Sequence, residues 1–257
     1  MITRRRLRAS AGLATAVLLT ACGGGDVEGS ASPASSSSSE PSSESPSGSS
    51  APESSGAPSS GTDLAPGLLP AEAFGPGAQV TPLTEQQLEQ GAAAVGSSNE
   101  GLQVSPPECE QAVKGTQPSF DEYDDVAAQV SVLGTTTTVQ TLASGGPAED
   151  AVATFDEQVG TCREVQVTSP EVGTLTITFD PIEVPDLGDG SAGISFTTTA
   201  TGPDGQQVTV PALVGAVQDG ERVVVLLSTD TGGGRLDPTA FTDLLQQAYD
   251  TQAAALD

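Results

Sequence analysis

The bulky apolar residues of this chain are so unevenly distributed that only its C-terminal part can build a core. Between Gly23 and Gly61 the sequence consists mainly of Ser, Pro, Gly, Ala and Glu, as in the run from Ser35 to Ser39. A segment of this composition cannot bury enough apolar surface to offset the entropy lost on ordering. Residues 22–61 are therefore predicted to be a disordered tether, with an end-to-end distance on the order of 35 Å. Residues 62–257 are predicted to be one folded domain.

The N-terminus has the pattern of a secretory signal peptide. A cluster of arginines is followed by an uncharged, mostly apolar run from Ala9 to Ala21, which is too short to span a bilayer as a permanent helix. Residues 1–21 are therefore predicted to be a signal that is removed on export. Because Arg4-Arg5-Arg6 also loosely matches a twin-arginine signal, the general and the twin-arginine export routes both stay open.

The predicted signal ends in Leu19-Thr20-Ala21-Cys22, which resembles the lipobox of bacterial lipoproteins. The resemblance implies that the thiol of Cys22 carries a thioether-linked diacylglycerol, and two or more acyl chains anchor a protein stably. We expect the mature protein to be attached to the cell membrane through Cys22, on the extracytoplasmic side. The alternative is an ordinary signal peptide in which the cysteine occurs by chance.

The charge balance excludes one class of partner. The whole chain has a net charge of −26, and removing the four signal arginines leaves −26 − 4 = −30 for the mature part. No basic patch of the mature chain could neutralise phosphates, so nucleic acid is excluded as a partner. Binding to anionic headgroups by charge is equally disfavoured. The basic residues that remain are Lys114, Arg163, Arg222 and Arg235.

Periodicity within the domain predicts an α+β fold, with helices packed on one side of a mainly antiparallel sheet of about six strands. Tight turns such as Gln218-Asp219-Gly220 suit antiparallel hairpins. The predicted strands are Val126–Leu133, Thr135–Leu142, Leu175–Phe179, Gly193–Thr201, Gln207–Val217 and Arg222–Ser228. The predicted helices begin at Thr84, at Pro106-Pro107, ahead of the stripe Val152, Phe155, Val159 and Cys162, and at Asp237-Pro238.

With Cys22 lipidated, Cys109 and Cys162 remain as a pair in an oxidising compartment. A disulfide between them is the expected state, and it would close a loop of about 53 residues, worth up to roughly 4 kcal/mol. The alternatives are two free thiols, one buried and one reactive, or a catalytic redox pair that lacks the usual Cys-x-x-Cys spacing.

The chain has no histidine, which excludes Ser-His-Asp and Cys-His catalysis and the usual zinc sites. We therefore expect no enzymatic activity, no cofactor and no metal. Two acidic clusters, Asp121–Asp125 and Asp186–Gly190, could supply calcium oxygens, but neither has EF-hand spacing, and a solvated surface is the preferred interpretation. A carboxylate pair for glycoside hydrolysis is set by space rather than by sequence, so that possibility stays open.

The aromatic residues are the remaining candidates for a binding surface. Phe120, Tyr123 and Phe196 are candidate ligand-binding residues, and Phe179 and Tyr249 are further candidates for lining a cleft or an exposed sheet face. The alternative is that the phenylalanines simply fill the core, as isolated aromatics on strands usually do.

The order of these features resembles a known family. Behind the lipobox and tether come Leu68-Leu69-Pro70, then Pro107-Glu108-Cys109 ahead of a strand pair, then a helix ending Val159-Gly160-Thr161-Cys162, antiparallel strands and a C-terminal amphipathic helix. This layout resembles the cell-envelope lipoproteins of mycobacteria and related actinobacteria that carry a PknH-like extracellular sensor domain. The resemblance covers about Leu64 to Asp257.

The resemblance implies an α+β domain whose sheet and helices form a cleft for an unidentified ligand, with no catalytic residues to carry over. Cys109 and Cys162 match one structural disulfide of that family. The second disulfide of the kinase domain is absent here, as is the tryptophan that often precedes the second matched cysteine.

The sequence thus favours a non-enzymatic, lipid-anchored ligand-binding or sensor-like domain of the bacterial envelope. Its partners would be the membrane, through the anchor, and an unidentified envelope ligand or protein. Two alternatives stay open: a lipid or glycolipid carrier, which needs a large apolar cavity, and a module that docks on another envelope protein.

Overall fold

The computed structural model describes residues 63–114, 122–150, 152–153, 161–169, 173–202 and 205–256. The predicted signal peptide, Cys22, the tether and Phe120 lie outside these residues, as does most of the helix predicted around Phe155 and Val159. Among the residues that the structure describes, no helix is long and apolar enough to cross a membrane.

The domain is built on one antiparallel sheet of nine strands in the order β1-β3-β4-β9-β8-β7-β6-β5-β2. All six predicted strands are present. The predicted number is nevertheless wrong, because β1, β2 and β5 were missed. The strands are β1 (Gln79–Leu83), β2 (Gln103–Ser105), β3 (Asp125–Leu133), β4 (Thr136–Ser144), β5 (Glu164–Ser169), β6 (Gly173–Pro181), β7 (Gly190–Thr201), β8 (Gln207–Asp219) and β9 (Arg222–Asp230).

The missed strands carry weak local signals. β1 and β2 form the two edges of the sheet and are five and three residues long. An edge strand is paired on one side only, and Pro82 weakens the local strand signal of β1. β5 does alternate, with Val165 and Val167 buried, and this period-2 signal could have revealed it.

Three α-helices of the described residues matter here: α1 (Glu85–Asn99), α2 (Glu110–Lys114) and α3 (Pro238–Leu256). The predicted N-cap of α1 is confirmed, because the side chain of Thr84 accepts a hydrogen bond from the Gln87 amide in a capping box. The predicted cap of α3 is also confirmed, because Oδ1 of Asp237 accepts from the Thr239 amide at 2.9 Å.

Helix α3 covers one face of the sheet, which we call the α3 face. Its residues Phe241, Leu245 and Ala248 pack against inward-facing side chains of the central strands, such as Leu142 and Leu226. The chain before β1, which contains the 3₁₀ turns Ala65–Gly67 and Ala71–Phe74, packs against the same core.

A hydrogen-bonded triangle fixes this N-terminal segment to the α3 face. The Leu69 amide donates to Oε1 of Gln140 at 2.9 Å, and Nε2 of Gln129 donates to the Leu69 carbonyl at 2.8 Å. Nε2 of Gln129 also lies 2.8 Å from Oε1 of Gln140. The two glutamines thus satisfy both backbone polar groups of Leu69.

The opposite face, which we call the α2 face, has its own core. Successive strand residues point to opposite sides, so Val214 lies behind Leu213 and packs with Ile194, Phe179 and α2 residue Val113. The prediction that helices pack on one side of the sheet is therefore wrong, because α2 and α3 lie on different faces. The physical reason is that β5, β6 and β7 also carry buried apolar side chains on the α2 face, and these pack with α2 and the residues around it.

The Cys109–Cys162 disulfide is confirmed, with a Cα–Cα distance of 5.7 Å. Both cysteines are buried among Val165, Val167 and Phe179 on the α2 face. The bond ties the 3₁₀ turn Pro107–Cys109, which continues into α2, to the residues that precede β5. It is therefore part of the packing that holds α2 on the sheet.

Candidate ligand-binding face

The centre of the α2 face is apolar but incompletely covered. On β4 and β9, Gln140 and Leu226 point to the α3 face and are 0% exposed, whereas their neighbours Val139 and Leu227 point to the α2 face and are only half-buried. Apolar side chains left partly exposed in the middle of a sheet mark a surface that can accept a partner or a ligand.

These side chains form one continuous row across the sheet. Val130 pairs with Val139, Val139 with Leu227, and Leu227 with Val214. Strands lie about 4.8 Å apart, so the row, which we call the apolar floor, extends for roughly 14 Å. At its β7 end it continues into the buried Ile194, which pairs with Val214.

Two of the predicted ligand-binding aromatics lie on this face, on opposite sides of the apolar floor. Phe196 is half-buried and packs against Phe179, with ring centroids 5.9 Å apart. Tyr123 is half-buried in a separate cluster with Val126 and Val225. Phe179 itself is buried in the α2-side core, which is the structural role that isolated strand aromatics usually have. Tyr249 contacts the core of the α3 face instead.

The environment of Tyr123 raises the pKa of its phenol. Burial is the main cause that raises the pKa of this phenol above its usual value, and the negative charge of Glu122 adds to the effect. Like any neutral phenol, Tyr123 can donate a hydrogen bond, here beside the apolar floor.

Helix α1 joins the two outermost strands of the sheet. Its N-terminus follows β1 and its C-terminus precedes β2, and these strands are eight strand spacings apart. Nδ2 of Asn99, at the C-terminal end, donates to the carbonyl of Lys114 in α2 at 3.1 Å, so this end lies on the α2 side.

Helix α1 packs loosely. None of its residues is buried, although Leu88, Ala92 and Val95 recur on one side of the helix, and Val95 is 45% exposed. A Cβ atom placed on Gly91 or Gly96 would meet nothing within 4 Å. Helix α1, about 22 Å long, therefore keeps its apolar side chains exposed or half-buried.

The acidic clusters show structural contacts. Oδ2 of Asp189 accepts from the Gly220 amide at 2.8 Å and joins two loops. Asp121 lies outside the described residues. Within the described part of the chain, no group of three or more acidic or cysteine side chains is arranged to hold a metal ion.

Five chains of solved structure match this protein, and they include the two that follow. No protein-family model matches the chain, and no curated protein does. The extracellular domain of PknH from Mycobacterium tuberculosis matches with a TM-score of 0.47 and 17% identity, over 73% of this chain and 93% of that chain. A putative uncharacterized protein of Mycobacterium smegmatis, an Rv0999 ortholog, matches with a TM-score of 0.47 and 14% identity, over 70% and 90% respectively.

Proposed function

We propose that this protein is a lipid-anchored, extracytoplasmic ligand-binding or sensor-like domain without enzymatic activity, whose ligand lies between the apolar floor and α1. The observation that carries the proposal is the apolar row Val130, Val139, Leu227 and Val214. It lies at the centre of the sheet and is half-buried, while the other side of the same strands is closed.

A ligand would gain its free energy from the area that it removes from water. Burial of apolar surface contributes about 25 cal/mol per Å², and both the floor and the apolar side of α1 would contribute. Because α1 buries no residue of its own, it can adjust its position over the ligand at low cost. The ligand is therefore expected to be elongated and largely apolar, with a polar group that the Tyr123 hydroxyl can bind.

The proposed anchor and tether would keep this binding site near the membrane surface. Cys22 would hold the chain at the membrane, and the Ser- and Pro-rich segment behind it would let the domain explore roughly 35 Å above the surface. Such an arrangement suits a domain that meets envelope components at the membrane. Neither membrane anchoring nor ligand binding requires a catalytic residue, in keeping with a chain that has no histidine.

Native mass spectrometry of the full chain with Cys22→Ser, exported from an actinobacterial host, tests the ligand. The substitution removes acylation, so any lipid-sized mass that is lost on denaturation must come from a bound molecule. We expect such a mass, and we expect Val139→Asp to abolish it. Val208→Asp is the matched control, because Val208 points to the same side but is 62% exposed beyond the floor.

The two variants must first show the same circular dichroism as the parent chain. A ligand-free mass for the parent, together with unchanged binding of an apolar fluorescent dye in Val139→Asp, would contradict the proposed site. A tightly held glycolipid would favour the carrier function over sensing. Turnover of an envelope substrate that is lost on substitution of one domain carboxylate would overturn the non-enzymatic assignment.

The anchor has its own test. Growth with an alkyne-labelled fatty acid should label the wild-type chain and leave Cys22→Ser unlabelled, with the variant released into the medium. Equal labelling of both chains would show that the lipid is attached to a residue other than Cys22.

A further inference from the structure

The α3 face contains a separate pocket of about 360 Å³. It lies between the first half of α3, the 3₁₀ turn Ala71–Phe74 and the ends of β3, β4 and β9. Phe241 and Leu244 of α3 form its apolar wall, and Arg235, in the loop before α3, lies at its edge. This volume is near the lower end of the range for small-molecule sites, about 300–1,000 Å³, so it suits a small organic molecule.

On the sheet side, this pocket is lined by a row of three hydroxyl groups. Ser131, Thr138 and Ser228 are direct cross-strand partners on β3, β4 and β9, and they are 2%, 8% and 6% exposed. The neighbouring residues on the same face, such as Leu142 and Val224, are apolar and fully covered. A polar row at this position interrupts a core that hydrophobic residues would otherwise fill.

These hydroxyls have hydrogen-bonding capacity to spare. Thr138 and Ser228 lie 2.8 Å apart, so one of their two O–H groups donates to the other oxygen and the second remains available. Within the described residues, the Ser131 hydroxyl forms no side-chain hydrogen bond with another protein group. The Ser131 hydroxyl lines the pocket, so a ligand placed there can bond to it as donor or acceptor.

The positive charge at the edge of the pocket is also unused by the protein. No described carboxylate forms an ion pair with the Arg235 guanidinium, although two carboxylates are near in sequence. Asp230 accepts from the Gly234 amide at 3.0 Å and from the hydroxyls of Thr135 and Thr136. Asp237 caps α3. Both acids hold backbone in place, and Asp230 thereby fixes the loop that presents Arg235.

We propose that this pocket binds a small hydroxylated organic carboxylate. Its hydroxyl would lie among Ser131, Thr138 and Ser228, its apolar middle against Phe241 and Leu244, and its carboxylate on the Arg235 guanidinium, which matches carboxylates in bidentate geometry. The site is on the opposite face of the sheet from the apolar floor, and it does not depend on the function proposed there.

Three probes of the same size separate the two polar contacts. 4-Hydroxybenzoate has both groups, benzoate lacks the hydroxyl, and 4-hydroxybenzyl alcohol lacks the carboxylate. In calorimetric or NMR titrations of the full chain with Cys22→Ser, we expect 4-hydroxybenzoate to bind about tenfold more tightly than either of the other two. Arg235→Gln should remove its advantage over the alcohol, and Ser131→Ala its advantage over benzoate.

Two further variants guard the interpretation. Arg163→Gln changes an exposed arginine outside the pocket and should leave all three affinities unchanged. Leu244→Trp should fill the cavity and abolish binding of every probe, while circular dichroism shows a folded domain. No saturable binding of 4-hydroxybenzoate, or binding that Arg235→Gln does not weaken, would overturn the proposal. Loss of binding in Val139→Asp would move the site to the apolar floor and also overturn it.

Discussion

The side-chain amides of Gln129 and Gln140 meet at 2.8 Å beneath the N-terminal segment of the domain, although the two residues belong to different strands. Through Leu69 they attach a stretch of irregular chain to the middle of the α3 face. This polar contact adds to the apolar packing of Leu64, Leu69 and Phe74, which holds the segment before β1 on the core.

Replacement of Gln140 by alanine should destabilise the domain. The Leu69 amide would lose its acceptor while remaining buried, which costs about 1–3 kcal/mol. Urea denaturation followed by circular dichroism measures the loss. Gln103→Ala, at an exposed position on β2, should change stability by less than about 0.5 kcal/mol. Equal effects of the two substitutions would show that the buried amide pair contributes nothing specific.

Removal of the disulfide should lower stability more. The Cys109→Ser/Cys162→Ser double variant frees a loop closed over 53 residues, and loss of such a bond typically costs about 2–5 kcal/mol. Thermal unfolding of the variant and of the parent chain measures the difference. A reducing agent should lower the midpoint of the parent and leave that of the double variant unchanged. If the reducing agent lowered the unfolding midpoint of both chains, the effect would not come from the Cys109–Cys162 bond.

Two glycines should respond to alanine in opposite directions. A Cβ on Gly215 would lie 2.7 Å from Leu245 and 3.0 Å from Phe241, so Gly215→Ala should push α3 from the sheet and cost about 1–3 kcal/mol. Gly91 lies in the open helix α1 with no atom nearby, and Gly91→Ala should raise local helix stability by about 0.5–1 kcal/mol. Hydrogen exchange of α1 and global unfolding separate the two effects. A stabilising Gly215→Ala would mean that α3 packs less closely than the structure shows.

The Asp230 carboxylate should make the folding stability of the domain decrease at acidic pH. Hydrogen bonding, first from the Gly234 amide, holds the pKa of Asp230 below its usual value. A carboxyl group with a lowered folded-state pKa contributes stability that is complete above its unfolded pKa, near 4, and is lost as the pH falls through the folded value. The urea midpoint of the wild-type chain should therefore exceed that of Asp230→Asn at neutral pH, and the gap should close below about pH 4.

Asp243→Asn, at an exposed position on α3, is the control for this titration. Its midpoint should follow the wild-type curve throughout. A gap between wild type and Asp230→Asn that stays constant from neutral to acidic pH would show that the lost contact is not tied to ionisation. A smaller affinity of 4-hydroxybenzoate for Asp230→Asn, alongside an intact Arg235, would indicate that the loop depends on this carboxylate.

Local patterns predicted much of the scaffold correctly. The period-2 pattern located the six long strands, and the capping residues Thr84 and Asp237 located the starts of α1 and α3. The cysteine count predicted the Cys109–Cys162 bond. These features depend on residues close in sequence or, for the disulfide, on a pairing that leaves a single choice. The edge strands β1 and β2 were not predicted, because a short edge strand is defined by its neighbour rather than by its own residues.

The candidate binding sites were harder to predict from the sequence. The aromatic candidates Tyr123 and Phe196 do lie on the face that carries the apolar floor, but the floor itself consists of ordinary valines and a leucine. Arg235 was recognised only as one of the few basic residues, and the hydroxyls of Ser131, Thr138 and Ser228 carried no motif. Nothing in the sequence says that these four residues share a cavity.

The sequence by itself determined where the chain can fold, which segments become strands, how the principal helices begin and which cysteines pair, because those properties follow from local composition and periodicity. Only the tertiary structure decided which strands are neighbours and therefore which side chains meet. Register brings Ser131, Thr138 and Ser228 into one row and Val130, Val139 and Leu227 into another. Each row is assembled from strands distant along the chain, so the burial of one and the partial exposure of the other emerge only when the whole sheet is formed.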